Sequence, residues 1–410
     1  MQALKKPYDI QQLENGSIVS PKGFSADGVH AGLRYAKKDL GIIFSEVPAH
    51  SAAVYTTNVF QAAPLKVTQE SLAQEQKLQA VLVNSACANA CTGERGLADA
   101  YQTREWTAQK FGIPDHYVAV ASTGVIGEYL QMEKMKKGIQ LLKPAATPQH
   151  SESFENAILT TDLATKSCGY ETTIDGKKVT IGGAAKGSGM IKPNMATMLA
   201  FVTTDAAIEN GYLKQALKEI TDETFNQITV DGDTSTNDMV LVLANGLAGN
   251  HPLSPQHPEW EKFIAALKMV CEDLAKKIAR DGEGATKLVE VDVEGAATDE
   301  EARKIAKTVV GSSLVKTAVF GNDANWGRVV CAVGYSEAAV DPDKVDIAIG
   351  PYWILKNSEV QTYSEEDVTN YLKNDTVVIH VNLNVGNGKG TAWGCDLTYD
   401  YVKINASYRT

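Results

Sequence analysis

Apolar runs rich in β-branched residues alternate with amphipathic segments along the whole chain. Short apolar runs at residues 41–47, 52–60, 78–84 and 117–123 are typical of buried strands. Between and after these runs lie segments in which apolar residues recur at helical spacing. This alternation predicts a protein that mixes helices and strands from end to end.

Two segments carry clear helix patterns. Residues 97–112 end at Gly112, with Pro114 just beyond, which is a common way for a helix to stop. Residues 258–284 form the longest predicted helix, which Gly282 terminates. Its apolar side chains follow one another at intervals of three and four, which predicts one buried stripe made of Ile264, Leu267, Val270, Leu274 and Ile278.

The last part of the chain shows a strand pattern twice. Residues 377–385 alternate apolar and polar side chains, the turn sequence NGKG follows at 387–390, and the alternation resumes over 393–401. We therefore predict a hairpin that brings the end of the chain back into the body of the protein. Such an end argues against a regular parallel βαβ order, so we expect a mixed α/β (α+β) fold of two lobes, with mixed sheets flanked by helices.

Composition and charge narrow the class of protein. The chain has 410 residues, 44% of them apolar and 22% charged, which is ordinary for a globular protein of about two domains. A formal net charge of −11 disfavours nucleic acid as a partner, because phosphate binding relies on Lys and Arg. No apolar run reaches the ~20 residues of a membrane span, and the N-terminus lacks the apolar core of a signal peptide. We expect a cytoplasmic protein that binds neither nucleic acid nor membrane.

Common motifs for phosphate, metal or nucleophile chemistry are missing from the sequence. It contains no GxxxxGK(S/T), HExxH, GxSxG or CxxC, and its six cysteines are scattered, which favours free thiols. The acidic stretch at 231–238 has its glycine too early for a calcium loop, and Val242 stands where a bidentate Glu would be needed. We interpret this stretch as a polar turn before a strand or helix, and we expect no metal and no cofactor.

One stretch, residues 181–205, stands out by its glycine and proline content. Glycines bracket Lys186, Pro193 follows, and a run of apolar strand formers begins just after Thr197. Glycine permits close approach of the backbone to another group, and proline restricts its neighbours. On composition alone, a tight connection into a buried strand is the simpler interpretation, and a functional loop is the alternative.

Six separated motifs cover both halves of the chain: NSACANACTG, ASTGVIG, KGSGMIKPNMATML, EGATK, GNDANWGR and the ending CDLTYDYVKINASYRT. Together they resemble the ornithine acetyltransferase family of arginine biosynthesis, whose members are self-processing enzymes of the N-terminal-nucleophile type. The resemblance implies cleavage between Ala196 and Thr197, within NMATML. It also implies an α fragment, residues 1–196, and a β fragment, residues 197–410, of which two copies each assemble into a four-chain enzyme.

The chemistry of threonine gives this implication a physical basis. A Thr hydroxyl is a poor nucleophile at pH 7 unless a base lies beside it, and none of the seven dispersed histidines stands in a recognisable motif. Cleavage before Thr197 frees an α-amino group with a pKa of ~7.7–8.0, which can act as that base. The resemblance implies that Thr197 then carries an acetyl group from N2-acetylornithine to glutamate by ping-pong transfer, giving ornithine and N-acetylglutamate. Acetyl-CoA as a second acetyl donor stays an open alternative.

The resemblance assigns further site residues in the first half of the chain. Thr123 and Gly124 match the oxyanion-hole pair of the family, where fixed donors meet developing negative charge. Thr160 and Lys186 match substrate-binding positions, and Lys186 is expected to pair with the substrate α-carboxylate. By sequence, Thr161 is an equally good hydroxyl. Outside this resemblance, the same residues would be ordinary turn and surface residues.

Three more substrate contacts are implied nearer the C-terminus. Glu283 matches the position that meets the ammonium of ornithine, and Asn405 and the terminal Thr410 match the family's C-terminal contacts. An Asn amide both donates and accepts, which suits the two charged ends of an amino acid. Leu163 departs from the usual TTDT context of the family, which bears on the assignment of Thr160.

Two other functions remain compatible with the sequence. A self-processed threonine amidase or aminopeptidase would pass the acyl group to water in place of an amino acid. A non-catalytic metabolite-binding protein of the same fold would keep an intact chain and would not depend on Thr197. Processing and the identity of the acceptor distinguish the three.

Overall fold

The computed structural model describes residues 8–192 and 198–407, which form sixteen β-strands and eleven α-helices. The strands are β1 Ile10–Gln12, β2 Phe24–Val29, β3 Leu40–Tyr55, β4 Lys77–Asn84, β5 Val118–Ser122, β6 Lys166–Ile174, β7 Lys177–Lys186, β8 Leu199–Thr204, β9 Ile228–Thr229, β10 Met239–Ala244, β11 Leu288–Ala296, β12 Asp346–Ile349, β13 Tyr352–Lys356, β14 Glu359–Val360, β15 Thr376–Asn382 and β16 Gly388–Cys395. The helices are α1 Ala63–Glu75, α2 Gly93–Phe111, α3 Met132–Leu141, α4 Pro148–Ile158, α5 Asn210–Glu223, α6 Trp260–Arg280, α7 Asp299–Gly311, α8 Ser313–Phe320, α9 Trp326–Gly334, α10 Glu365–Leu372 and α11 Tyr399–Ser407.

A nine-stranded sheet forms the first lobe, and its strands come from both sides of residue 197. Its order is β1-β6-β7-β8-β10-β3-β4-β5, and β2 also pairs with β3. β8 and β10, which follow residue 197, run parallel to each other in the middle of this sheet, between β7 and β3. Every residue of β8 and β10 is buried. The chain before and after residue 197 therefore shares one hydrogen-bonded sheet and one core.

A seven-stranded sheet forms the second lobe from residues after position 197 alone. Its order is β14-β13-β12-β15-β11-β16-β9. A separate hydrophobic cluster packs it against α7 and α9, with Val291, Ile305 and Val329 among its members. The two mixed sheets with their flanking helices confirm the predicted α+β fold.

The predicted C-terminal hairpin is wrong. Both of its strands exist, as β15 and β16, but β11 lies between them and pairs parallel to β15 and antiparallel to β16. Val289, Val291 and Val293 of β11 alternate with polar residues in the same way. Alternation identifies a strand and its buried face, but it does not identify the neighbouring strand. The residues at 399–401 begin α11 and are not part of a strand.

Two strands predicted at 41–47 and 52–60 are one long strand, β3, which ends at Tyr55. Its pairing with β4 shifts register between Phe44 and Ala49. The sequence pattern is interrupted there, although the backbone continues as a strand. The other two predicted strands are confirmed as β4 and β5.

The long predicted helix is confirmed as α6, and it packs on the glycine-rich strand β7. A Cβ atom at Gly183 of β7 would lie 2.8 Å from Leu274 Cδ1 and 2.9 Å from Val270 Cγ1. Glycine is therefore required at this position by the close approach of helix and sheet. The other predicted helix is confirmed as α2, which ends with Gly112 at a φ of 67°. Among the helices of the described residues, none has the length and apolar character of a membrane span.

Candidate active site

A polar cleft of about 260 Å³ lies where strand ends of the first lobe meet α11. The loop at 231–238 forms another part of its wall. Six of the nine predicted site residues line this cleft, namely Thr123, Gly124, Thr160, Lys186, Glu283 and Asn405. Positions as far apart in sequence as 123 and 405 are thus brought to one place.

Thr123 and Gly124 follow directly after β5. The backbone N–H of Thr123 donates to the Asn84 carbonyl oxygen at 2.9 Å, so it is already occupied. The Thr123 hydroxyl accepts a bond from Lys186 Nζ at 3.3 Å and keeps its own proton to donate. Gly124 has a φ of 128°, and a side chain there would collide with the backbone of Ala86. Its N–H has no acceptor among the described residues, so the Thr123 hydroxyl and the Gly124 N–H are the two donors that this turn offers.

Lys186 is the last residue of β7 and is only 7% exposed. Its Nζ donates to Thr160 Oγ1 at 2.8 Å, besides the longer bond to Thr123. Thr160, and not Thr161, is the hydroxyl that accepts this bond, although Thr161 also lines the cleft. An ammonium has three donors, so one is left for a ligand.

Burial lowers the pKa of the Lys186 ammonium, and the carboxylate of Asp162 opposes this shift. Within the described residues, the hydrogen bonds of Nζ go to neutral hydroxyls and not to a carboxylate. A nearly buried cation of this kind is stabilised by an anionic ligand, because the ligand returns the charge partner that burial removed. Lys186 is therefore suited to a substrate carboxylate.

Glu283 lies just after α6. Its side chain is acidic where that of Lys186 is basic, and it is also nearly buried. Its Oε2 accepts a hydrogen bond from Asn405 Nδ2 of α11 at 2.8 Å, and its backbone N–H donates to the Ser188 carbonyl oxygen at 2.9 Å. A side chain at Gly189 would collide with the Glu283 carboxylate. Gly189 thus makes room for the acidic group of the cleft.

The loop at 231–238 is a turn before β10, as predicted, but the sequence did not reveal its place in the cleft. Asp231 accepts hydrogen bonds from the backbone N–H groups of Met190 at 2.6 Å and Ile191 at 2.8 Å. Asn237 Nδ2 donates to two backbone carbonyl oxygens of the first lobe, at 2.6 Å and 2.8 Å. The available signal was a run of polar side chains directly before a fully apolar strand.

Asp238, at the end of this loop, is buried and lines the cleft. Burial raises the pKa of its carboxyl group well above the ordinary value. Its Oδ2 has no hydrogen-bond partner among the described residues. Asp231, Asp233 and Glu283 supply further carboxyl groups, so the cleft is acidic around a single lysine.

Ala196, Thr197 and Thr410 lie outside the described residues. Met198, the residue after Thr197, lines the cleft, and its carbonyl oxygen accepts a hydrogen bond from the Met239 N–H at 2.9 Å. On the other side of the gap, Ile191 lines the cleft and its carbonyl oxygen accepts from Val230 N–H at 2.7 Å. Ile191 and Met198 therefore both lie at the wall of the same cleft.

The cleft offers a cation for a carboxylate, an anion for an ammonium, and two donors for a carbonyl oxygen. The first two groups fit the charged ends of an amino acid, and the paired donors fit an acyl group that becomes tetrahedral. Among the described residues, no group of His, Cys, Asp or Glu side chains is arranged to hold a metal ion. The groups in this cleft suit acyl chemistry on amino acids.

Comparison with known sequences identifies the family. The sequence profile of the ArgJ family matches residues 25–410. The arginine biosynthesis bifunctional protein ArgJ of Geobacillus kaustophilus is 67% identical over the full length of both chains, and that of Halalkalibacterium halodurans is 62% identical over the full length of both. The chain belongs to the ArgJ family, and it is an acyltransferase of arginine biosynthesis. The resemblance found in the sequence motifs is confirmed.

Two solved structures each match about half of this chain. The crystal structure of arginine biosynthesis bifunctional protein ArgJ from Bacillus halodurans is 64% identical in sequence, with a TM-score of 0.50 over 51% of this chain and 98% of its own. The structure of ornithine acetyltransferase complexed with ornithine from Mycobacterium tuberculosis is 36% identical, with a TM-score of 0.43 over 46% of this chain and 100% of its own.

Proposed function

We propose that this enzyme cleaves its own chain between Ala196 and Thr197 and then transfers an acetyl group from N2-acetylornithine to glutamate through an ester on Thr197. The observation that carries the proposal is the convergence of Lys186, from before the cleavage point, and Glu283, from after it, on one cleft beside Met198. The high identity to arginine biosynthesis bifunctional proteins over the whole chain supports the same reaction.

Maturation uses the Thr197 hydroxyl on the carbonyl carbon of Ala196. The hydroxyl oxygen forms an ester bond, the peptide C–N bond breaks, and the hydroxyl proton passes to the departing nitrogen. Water then hydrolyses the ester, which leaves a carboxylate on Ala196 and restores the hydroxyl beside a free α-amino group on Thr197. The Thr123 hydroxyl and the Gly124 N–H are the donors that would stabilise the oxyanion formed in each step.

Acetyl transfer then proceeds in two half-reactions. The α-amino group of Thr197 accepts the hydroxyl proton while the oxygen attacks the acetyl carbonyl of N2-acetylornithine, and the proton moves on to the departing amine of ornithine. In the second half-reaction the amino group of glutamate attacks the acetyl ester, and Thr197 is released. Nucleophile and base both come from one residue, so we propose that neither a metal nor a cofactor takes part.

The charges of the cleft orient both amino acids. We propose that Lys186 binds the α-carboxylate of either substrate while its ammonium group donates to the Thr160 hydroxyl at 2.8 Å. Glu283 binds the side-chain ammonium of ornithine, and Asn405 holds the Glu283 carboxylate in place at 2.8 Å. We propose that Thr410 adds a further contact from the end of the chain.

Two features support a cleaved enzyme that assembles from several chains. The solved Bacillus halodurans chain corresponds to 51% of this one, and a cut after residue 196 of 410 divides this chain into two nearly equal parts. Helix α11 has no buried residue, and its Tyr399 and Val402 are 77% and 64% exposed. Apolar side chains so exposed suit a contact between protomers in an assembly of two α and two β fragments.

We also propose acetyl-CoA as a second donor, since the relatives are named bifunctional.

An isotope-exchange experiment tests the transfer mechanism. Purified enzyme is incubated with N2-acetylornithine and labelled ornithine in the absence of glutamate, and an acid-quenched sample is searched for acetylated Thr197 by mass spectrometry. Ping-pong transfer predicts label in N2-acetylornithine and an acetyl group on Thr197. Release of acetate without exchange would indicate an amidase, and a protein that shows neither exchange nor acetate release would not be a catalyst of this reaction.

A further inference from the structure

A buried carboxylate lies behind two of the substrate-binding residues. Asp162 is 4% exposed and follows Thr160 in the loop between α4 and β6. Its Oδ2 accepts a hydrogen bond from the Thr160 N–H at 3.0 Å. Its Oδ1 accepts one from the N–H of Gly187, the residue after Lys186, at 2.7 Å. One side chain thus connects the backbone of the loop that carries Thr160 to the end of the strand that carries Lys186.

Asp162 also belongs to a buried ion-pair chain. Lys166 Nζ donates to Asp162 Oδ1 at 2.7 Å and to Asp281 Oδ2 at 2.6 Å, and the Lys166 side chain is 1% exposed. Burial works against the ionised form of Asp162, but Lys186 and Lys166 hold the pKa of this carboxyl below its ordinary value. A buried ion pair often contributes no more to the stability of a fold than apolar side chains of the same volume, because removing two charges from water costs free energy. Their location beside a binding cleft points to a functional reason.

We propose that Asp162 is a positioning residue, which sets the relative placement of Thr160 and Lys186 so that the two bind the substrate carboxylate together. This inference rests on the proposed function, since it deepens the role of the same cleft. Two backbone N–H groups donate to opposite oxygens of one planar carboxylate, which fixes both the distance and the angle between the loop and the strand. Lys186 Nζ then meets Thr160 Oγ1 at 2.8 Å with its third donor available.

The charge of Asp162 acts on Lys186 as well. Burial lowers the pKa of the Lys186 ammonium; among the charged groups that face it, Asp162, Asp238 and Glu283 raise this pKa and Lys166 lowers it further. Burial raises the pKa of the Asp238 carboxyl group itself. Loss of the Asp162 charge is therefore expected to lower the pKa of Lys186, so that the enzyme loses its substrate-binding cation at a less alkaline pH.

The test compares Asp162→Asn with Asp281→Asn. Both substitutions remove a carboxylate from the same lysine, but Asp281 accepts from the Leu163 and Ala164 backbone and does not contact the Thr160 or Gly187 N–H. An Asn at 162 can accept at only one of its two positions, so one of the two backbone bonds is lost. We expect KM for N2-acetylornithine to rise by about tenfold or more in Asp162→Asn, as for loss of a buried hydrogen bond, with a smaller change in kcat.

The pH profile separates positioning from simple loss of stability. In Asp162→Asn the alkaline limb of kcat/KM is expected at lower pH than in the wild type, whereas Asp281→Asn keeps the wild-type limb. Equal KM and equal alkaline limbs in the two variants would overturn the inference. A wild-type enzyme without transfer activity would instead refute the proposed function, and the two failures are therefore distinguishable.

A second variant covers the case in which Asp162→Asn does not fold. Asp162→Asn combined with Lys166→Met removes both charges of the buried pair, which such sites tolerate better than the loss of one partner. The raised KM should persist, because the lost hydrogen bond to the backbone is not restored. The alkaline limb should move back toward the wild type, because Lys166 no longer depresses the pKa of Lys186. A double variant with wild-type KM would contradict the positioning role.

Discussion

The nine-stranded sheet and the seven-stranded sheet differ in where they keep their charged side chains. Around the strand ends of the first sheet, Lys186 and Asp238 are buried in and beside the cleft. On the second sheet, Asp292 and Lys389 have side chains that are 38% and 75% exposed. Burying a charge costs free energy unless a partner compensates. The second sheet also has buried charged residues at its strand ends, Lys287 and Asp396, but these bond to protein groups outside the cleft, whereas Lys186 of the first sheet lines the cleft.

The two sheets also differ in their origin along the chain. β8 and β10 of the first sheet follow residue 197, yet each has a strand from before that residue as a neighbour. All strands of the second sheet follow residue 197. A cut at Ala196–Thr197 would leave the second sheet untouched and would leave the first sheet held by hydrogen bonds and by its core. The comparison explains how a cleaved enzyme can stay in one piece.

The largest difference in activity is expected between a Thr→Ala substitution at the cleavage point and one in the second sheet. Thr197→Ala should abolish both self-cleavage and acetyl transfer, because one oxygen serves both reactions. Thr391→Ala loses only a hydrogen bond to Asp292 Oδ1, at 2.8 Å, and should be cleaved and fully active. Gel electrophoresis and the transfer assay measure both. A cleaved or active Thr197→Ala protein would remove this residue from the mechanism.

The oxyanion donors should give the next largest effect. Thr123→Ala is expected to lower kcat by about 10²–10³-fold, as for loss of one oxyanion-hole donor. Thr123→Ser keeps the hydroxyl, which is the group the structure leaves free to donate, and should retain most of the wild-type kcat. If Ser is as poor as Ala at this position, the hydroxyl is not the donor and the Thr123 methyl group matters instead.

The next prediction compares a Glu→Gln substitution in the cleft with one in the second sheet, and it concerns substrate binding. Glu283→Gln should lower kcat/KM for N2-acetylornithine by about 10–100-fold, because a charge-assisted hydrogen bond to an ammonium becomes a neutral one. Its effect on the glutamate half-reaction should be smaller. The matched change in the second sheet, Glu290→Gln, keeps an acceptor for the Trp393 Nε1–H at 2.6 Å and should leave both half-reactions unchanged. Equal losses in both half-reactions of Glu283→Gln would argue against a specific contact with ornithine.

The smallest effect concerns stability and its dependence on pH. The folded-state pKa of Asp238 is raised by burial, so the folded protein holds a proton that the unfolded chain releases above its pKa of ~3.9. Stability from this group therefore falls as pH rises above that value. Asp238→Asn carries no such penalty.

Thermal melting at two pH values measures this effect. The Tm of Asp238→Asn should exceed that of the wild type by a few degrees at pH 7, and by less at pH 4. Asp292→Asn in the second sheet should show a smaller difference, because Asp292 is more exposed, although burial raises its pKa as well. A Tm difference for Asp238→Asn that stays constant with pH would contradict a raised pKa of Asp238 in the folded protein.

Several helices and strands, such as α6, β4 and β5, could be predicted from the sequence because local patterns of apolar residues determine them. The apolar stripe of α6 and the buried runs of β4 and β5 needed no knowledge of their partners. The predicted C-terminal hairpin was wrong because the pairing of strands is not determined locally. Partner choice among β11, β15 and β16 depends on contacts between distant segments, which alternation within one segment does not encode.

The candidate site could likewise be predicted from the sequence only in part. The family resemblance located Lys186 and Glu283, but it gave no sign of Asp162 or Asp231, whose roles consist of hydrogen bonds to backbone N–H groups far along the chain. An acidic residue in a loop has the same sequence appearance whether it is solvated or buried. Thr160 and Thr161 are equally good hydroxyls by sequence, and the structure shows that Thr160 is the one that accepts a hydrogen bond from Lys186 Nζ.

The most direct test of the account is the covalent state of active enzyme. A preparation with measured transfer activity is denatured, and its chains are analysed by intact mass spectrometry and N-terminal sequencing. We expect two chains, one of which begins Thr-Met-Leu-Ala. A single chain of 44.1 kDa that accounts for all of the activity would contradict the self-cleaving threonine on which the proposed mechanism depends.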